Sequence, residues 1–193
     1  MKVLLCGFEP FGEREVNNAW EVAKQFKGLE EIKVLKIPVS FQNAHEIVIE
    51  EINSNQYDSI IMLGETSFTL DNVRLERLAI NYKDSVKPDN DGIFADDEEI
   101  ISMAPKAYFT SFPVKRICEN IKGKGHKIKV TNSTGTFVCN SLYYNILHYI
   151  ETNKLKTKAL FIHLPSSTQI ISLEEMKNTL DEIIKISLTY NIT

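Results

Sequence analysis

Cys139 is the first residue in this chain whose position suggests chemistry. It follows the apolar run His126–Thr131 and the polar turn Asn132-Ser133-Thr134-Gly135, and falls in the first turn of the next expected helix. Unpaired N–H groups and the positive end of the helix dipole would stabilise a thiolate there. The same groups could hold an oxyanion formed when that thiolate attacks a carbonyl. A structural cysteine at a helix start is the alternative. Cys6, in an apolar first strand, and Cys118, on an apolar helical stripe, read as small core residues. Three cysteines, an odd number without C-x-x-C spacing, suggest neither a disulfide framework nor a zinc ribbon.

A thiol nucleophile needs a base. His126 sits in a Lys/Gly-rich turn, His148 is about half a helical revolution from the Cys139 face, and His45 lies among Glu46, Glu50 and Glu51. All three are expected at the surface. His163 instead ends the run Ala159-Leu160-Phe161-Ile162, at the carboxyl end of a buried strand, the edge where open α/β sheets bind ligands. It is either a base or a satisfied core histidine. Glu76 shares a strand face with Leu78, Ile80 and Tyr82 if Val73–Tyr82 is one strand, and a carboxylate on an apolar face must be paired. Its partner is Arg74, Arg77 or a histidine that it orients; spacing alone leaves these open.

These residues need a scaffold, and the alternation of short apolar runs with helical periods predicts one: a single α/β domain over residues 1–193, three-layered, with a twisted, largely parallel central sheet. Strands are expected at Lys2–Gly7, Ile32–Val39, Tyr57–Gly64, Val73–Tyr82, His126–Thr131 and Lys158–Leu164. Helices are expected at Asn18–Phe26, Gln42–Asn53, Pro113–Lys122, Thr136–Ile150 and Leu173–Leu188. Phe8–Asn17 and Ser85–Thr110 read as ordered loops, which in such domains tend to bind ligands.

Composition narrows the partners. With 43% hydrophobic residues the chain can bury a core, and 26 acidic against 22 basic side chains give a net charge of −4 without a basic patch. Nucleic acid and membrane partners are therefore not expected. The start, Met1-Lys2-Val3-Leu4-Leu5-Cys6-Gly7, is too short in apolar residues for a signal-peptide core, and no stretch approaches a membrane span, so a cytoplasmic protein is expected.

Four ordered segments carry a resemblance. Gly7-Phe8-Glu9-Pro10-Phe11-Gly12 with Asn17 and Trp20-Glu21, Glu76-Arg77-Leu78-Ala79-Ile80-Asn81, Thr134-Gly135-Thr136-Phe137-Val138-Cys139-Asn140, and Phe161-Ile162-His163-Leu164-Pro165 resemble the signature segments of type I pyroglutamyl peptidases. The similarity runs over nearly the whole chain. It implies a phosphorylase/hydrolase-like fold and a cysteine omega-peptidase that removes N-terminal pyroglutamate from peptides without metal or cofactor. Cys139 would be the nucleophile, His163 the general base and then acid, and Glu76 the group orienting His163. Phe8, Phe11, Asn17, Phe137 and Val138 would line the lactam pocket, and the loop beginning at Glu65 would contribute to it. A homo-oligomer, dimer or tetramer, is also implied.

The chain departs from that pattern in three places. A Gly-Gly-Arg segment in the family is here Glu65-Thr66-Ser67-Phe68-Thr69, an arginine associated with the active site is Val86, and an aromatic-containing segment is Ser166-Ser167-Thr168-Gln169. Two further readings therefore stand beside the first: the same triad acting on another N-capped peptide or lactam amide, and a non-catalytic binding protein on the same scaffold. A nucleotide-binding domain is disfavoured, because no G-x-G-x-x-G or Walker loop follows a strand.

Overall fold

The computed structural model describes residues 2–66 and 71–189. The elements run β1 (Val3–Phe8), α1 (Asn18–Ala23, extended by a 3-10 turn at Lys24–Phe26), β2 (Ile32–Ile37), α2 (Asn43–Ser54), β3 (Ser59–Glu65), β4 (Val73–Glu76), β5 (Leu78–Ile80) and β6 (Ala107–Phe109). They continue with α3 (Val114–Gly123), β7 (Ile128–Thr131), α4 (Val138–Thr152), β8 (Lys158–Leu164) and α5 (Leu173–Thr189). The central sheet has the order β2-β1-β3-β8-β4-β7. All its pairs are parallel except β4 with β8.

Strand alternation divides the core in two. Val3 and Leu5 face one side with Ile61, Leu63, Leu160 and Ile162, where α1, α3 and α5 pack. Leu4, Cys6 and Phe8 face the other with Ile60, Met62 and Phe161, beneath α2 and α4. The result is the three-layer α/β/α arrangement expected from the sequence. At Gly7 a Cβ would stand 2.7 Å from the Ala19 carbonyl oxygen, so the absence of a side chain lets α1 lie directly on β1. This close approach brings the start of α1 to the carboxyl edge of the sheet.

The structure departs from the sequence expectation at Val73–Tyr82. That segment is two strands in two sheets: β4 joins the central sheet, and β5 pairs antiparallel with β6 in a separate ribbon. The chain leaves the sheet at Arg77, whose N–H still donates to Thr131 while its carbonyl accepts from Thr110. Asn140 then holds the diverted strand. Its Oδ1 accepts from the Ile80 N–H at 3.0 Å, and its Nδ2 donates to the Ile80 and Tyr82 carbonyls at 2.9 and 2.8 Å. The single face shared by Glu76, Leu78, Ile80 and Tyr82 is therefore broken, and the fully buried residue of β5 is Ala79.

The three histidines expected at the surface are each half-buried. His148 Nδ1 lies 2.9 Å from the Tyr108 hydroxyl and stacks on Tyr144, and His126 Nδ1 lies 2.8 Å from the Thr179 hydroxyl. Tertiary neighbours that sequence spacing does not reveal account for the difference. Among the described residues no helix is long and apolar enough to cross a membrane.

Candidate active site

Glu76, His163 and Cys139 come from three elements and converge over the middle of the sheet. The β4–β8 register pairs Arg74 with His163 and Glu76 with Phe161, so Glu76 and His163 are diagonal neighbours on one face. Glu76 Oε1 lies 2.9 Å from His163 Nδ1. The parallel β4–β7 pairing sets Thr131 opposite Glu76, and its hydroxyl donates to Glu76 Oε2 at 2.6 Å. Glu76 is 0% exposed and His163 7% exposed. The carboxylate is thus buried with both oxygens partnered, which is how a buried charge is tolerated. Neither Arg74 nor Arg77 pairs with it: the Arg74 Nε is buried without a hydrogen bond, and Arg77 lines a surface groove beside Phe109.

Aromatic packing fixes the imidazole. The Phe161 ring lies 4.9 Å from His163 and 5.7 Å from Tyr143, whose hydroxyl donates to the Glu76 carbonyl at 3.2 Å. Since Nδ1 is engaged by Glu76, Nε2 is the nitrogen free to serve the sulfur. Burial disfavours the charged ring, but hydrogen bonding with Cys139 and Glu76, together with their negative charge, outweighs it and raises the His163 pKa from 6.5 to about 9. The pairing with Glu76 thus favours the charged form of the His163 ring.

Cys139 is the second residue of α4. Its own N–H belongs to the first turn, ahead of the first bonds back along the helix, in which Asn140 and Ser141 donate to the Phe137 carbonyl. It is the half-buried cysteine of the three; Cys6 and Cys118 are buried, and desolvation pushes both thiols up. Space for the sulfur is made by Gly64 at the end of β3, where a Cβ would fall 2.8 Å from the Phe161 ring and 3.0 Å from Cys139 Sγ.

Beside this triad a cavity of about 670 Å³ opens at the carboxyl edge of the sheet. It brings together Phe11, Asn17 and Glu65 with Lys87 and Ser166. Phe8 and Val138 are buried below, outside that lining. Phe137 connects the two regions, its ring 5.1 Å from Phe11 and 5.3 Å, edge-on, from Phe41. Asn17 caps α1 with its Oδ1, which accepts from the Ala19 N–H at 2.9 Å, and its Nδ2 donates to the Glu9 carbonyl at 2.8 Å. Val86 is 93% exposed, so the side chain at this position points into solvent. Ser67, Phe68 and Thr69 lie outside the described residues.

Several residues that build the site escaped sequence reasoning. Thr131 and Asn140 needed the strand pairings to be noticed. Asp89 anchors the loop after β5: it is buried, with Oδ2 accepting from the Phe41 N–H at 2.8 Å and Oδ1 from the Asp91 and Ile93 N–H groups at 2.9 Å. The turn chemistry of Pro88-Asp89-Asn90-Asp91-Gly92 was the available signal, but the contact with Phe41 was not.

The chain is similar to known proteins along nearly its whole length. Residues 1–187 match the family model described as pyroglutamyl peptidase. A pyrrolidone-carboxylate peptidase of Thermococcus kodakarensis is 40% identical over 171 residues, covering 86% of this chain and 82% of that protein. A second, pyrrolidone-carboxylate peptidase 1 of Caldanaerobacter subterraneus, is 39% identical and covers 96% and 97%. Among solved structures, pyroglutamyl peptidase I of Bacillus amyloliquefaciens superposes with a TM-score of 0.89 at 33% identity, covering 94% of each chain. Pyrrolidone carboxyl peptidase of Pyrococcus furiosus gives 0.91 at 29% identity over 100% of each. A Cys-His-Glu constellation at the carboxyl edge of the sheet, on a fold shared from end to end with such enzymes, leads to one conclusion: the chain belongs to the pyroglutamyl peptidase family of cysteine peptidases.

Proposed function

We propose that this chain removes N-terminal pyroglutamate from peptides through a thioester on Cys139. The observation that carries the reading is the buried imidazole of His163, held by Glu76 at 2.9 Å on Nδ1 and coupled electrostatically to Cys139. In the first half-reaction Cys139 Sγ attacks the pyroglutamyl carbonyl carbon, the oxyanion is received by N–H groups at the start of α4, and the C–N bond breaks as His163 protonates the departing amine. In the second, water gives a proton to His163 and attacks the thioester, the C–S bond breaks to release 5-oxoproline, and the Cys139 sulfur is returned beside protonated His163. Glu76 accepts no proton; it orients the ring and favours its cationic form. Phe11 and Phe137 supply apolar walls suited to a flat neutral ring, with Phe8 and Val138 packed behind them. The expected result with a pyroglutamyl-arylamide is turnover by the wild type and a loss of at least about 10³-fold in Cys139→Ala. Equal release by the two proteins would remove Cys139 from the mechanism.

One observation favours a second reading, the same triad acting on a differently capped peptide. Lys87 lines the cavity without an ion-pair partner among the described residues, and a neutral lactam does not require it. A panel of N-acyl arylamides separates the two, since turnover confined to the pyroglutamyl member supports the first. We place the enzyme in a reducing cytoplasm on the ground of its three free cysteines. A dimer or tetramer rests on the family resemblance, and light scattering on the purified protein tests it.

A further inference from the structure

We infer that Asn18, Glu65 and Arg14 form a clamp that positions the substrate loop against the catalytic strands. The inference rests on the reading above, because it concerns how the same pocket is held. Consecutive residues at the end of β3 serve opposite faces of the sheet: Gly64 clears the space beside Cys139 Sγ, and Glu65 turns toward α1. Glu65 Oε2 accepts from the Asn18 N–H at 2.7 Å, and its other oxygen pairs with Arg14 from the loop that carries Phe11. The Asn18 side chain, buried, donates to the carbonyls of Pro165 at 2.8 Å and Ser166 at 3.2 Å, just beyond His163 at the end of β8.

Three chain segments therefore meet at one polar knot: the loop ahead of α1, the end of the strand beside the nucleophile, and the turn leaving the strand of the base. The Glu65 side chain is 6% exposed and its two oxygens are engaged within the protein, whereas that of Arg14 is 45% exposed. This is the pattern of a residue that positions others. Glu65 enters the pocket lining, but its carboxylate acts through Arg14 and Asn18 on the pose of Phe11. A loop free to drift would misplace the lactam without disturbing the triad, so the clamp should register in KM while kcat and thiol reactivity stay level.

The test uses the full chain with four single variants, Glu65→Ala, Glu65→Gln, Arg14→Gln and Asn18→Ala, and the Arg14→Gln/Glu65→Ala double variant, each with its thermal midpoint recorded. Glu65→Ala and Asn18→Ala are expected to raise KM for the pyroglutamyl-arylamide about tenfold, with kcat and the iodoacetamide alkylation rate of Cys139 within about threefold of wild type. Glu65→Gln keeps an acceptor for the Asn18 N–H and should be rescued in part. Arg14→Gln, at a half-exposed position, should raise KM modestly and add nothing to Glu65→Ala in the double variant. Unchanged KM in Arg14→Gln and in Glu65→Gln overturns the clamp, and so does a fall in kcat and alkylation rate with KM constant. If the wild type fails to cleave the arylamide, the substrate reading falls, and the clamp is judged separately by hydrogen exchange of residues 9–17. Faster exchange in Arg14→Gln supports it, and unchanged exchange overturns it.

Discussion

The two sides of the active site are built differently. On the catalytic side Glu76 and His163 are fixed by strand register, with Thr131 beside them and Phe161 and Tyr143 packed underneath. On the pocket side Phe11, Asn17 and Lys87 sit on loops, held by side-chain to backbone bonds such as those of Asn17 and Asn18. A register cannot shift by one residue without turning a whole strand inside out, so the chemistry is locked to the core. Loops can change length and composition at little energetic cost, so substrate fit is free to diverge while the triad stays in place. The departures at Val86 and Ser166 fall on loops, and that at Glu65 on the last residue of β3, where the strand gives way to a loop.

The comparison predicts large effects on kcat from the strand side and smaller effects, mainly on KM, from the loop side. The largest should come from Glu76→Gln, which keeps shape and one acceptor but removes the charge: kcat is expected to fall by about 10³-fold. Its pH profile is the sharper readout. With His163 raised to about 9, the imidazolium and activity that depends on it persist through neutral pH and decline as pH rises through about 9. The stability it contributes follows the same sign, fully present below 6.5 and lost as pH rises through about 9. In Glu76→Gln the alkaline limb should move to lower pH; an unmoved limb would mean that Glu76 does not sustain the charge of His163.

Gly64→Ala comes next. The added methyl meets Phe161 and Cys139 Sγ, so kcat should drop by about 10²-fold, with a smaller loss of stability than of activity measured side by side. Phe137→Ala removes the ring between Phe11 and Phe41 and should raise KM about tenfold, with the alkaline limb unmoved. The smallest effect is expected from Val86→Arg, because that side chain points to solvent: kcat/KM should change by less than about threefold. A tenfold gain there would place position 86 functionally inside the site and blur the division between the two sides.

The same division governed what the sequence disclosed. Cys139 and His163 stood out as candidates at a helix start and a strand end, whereas Glu76 was flagged on a strand face that the structure breaks, and only the family resemblance linked the three. Element ends fell within two residues of expectation except where β4 and β5 were merged and where β6 (Ala107–Phe109) forms in a stretch expected to be loop. That break could not be foreseen, since it depends on Asn140, sixty positions away, binding the Ile80 backbone in place of a strand partner. The occupation of Glu65 by Arg14 and Asn18 was hidden for the same reason. Long-range polar pairing leaves no periodicity in the chain.

The position of β8 in the sheet bears on how the protein is made. It is the last strand in sequence yet lies between β3 and β4, and the bond from His163 to Glu76 joins residues 87 positions apart. While the chain is being synthesised, β3 and β4 wait with open edges for a strand that has not emerged, a slow, long-range closure that exposes them to wrong partners. During that interval Cys139 has already been made and His163 has not. Catalytic competence therefore arrives in one step, when the sheet closes around its final strand, and a chain cut short before residue 158 would be both inactive and prone to aggregate.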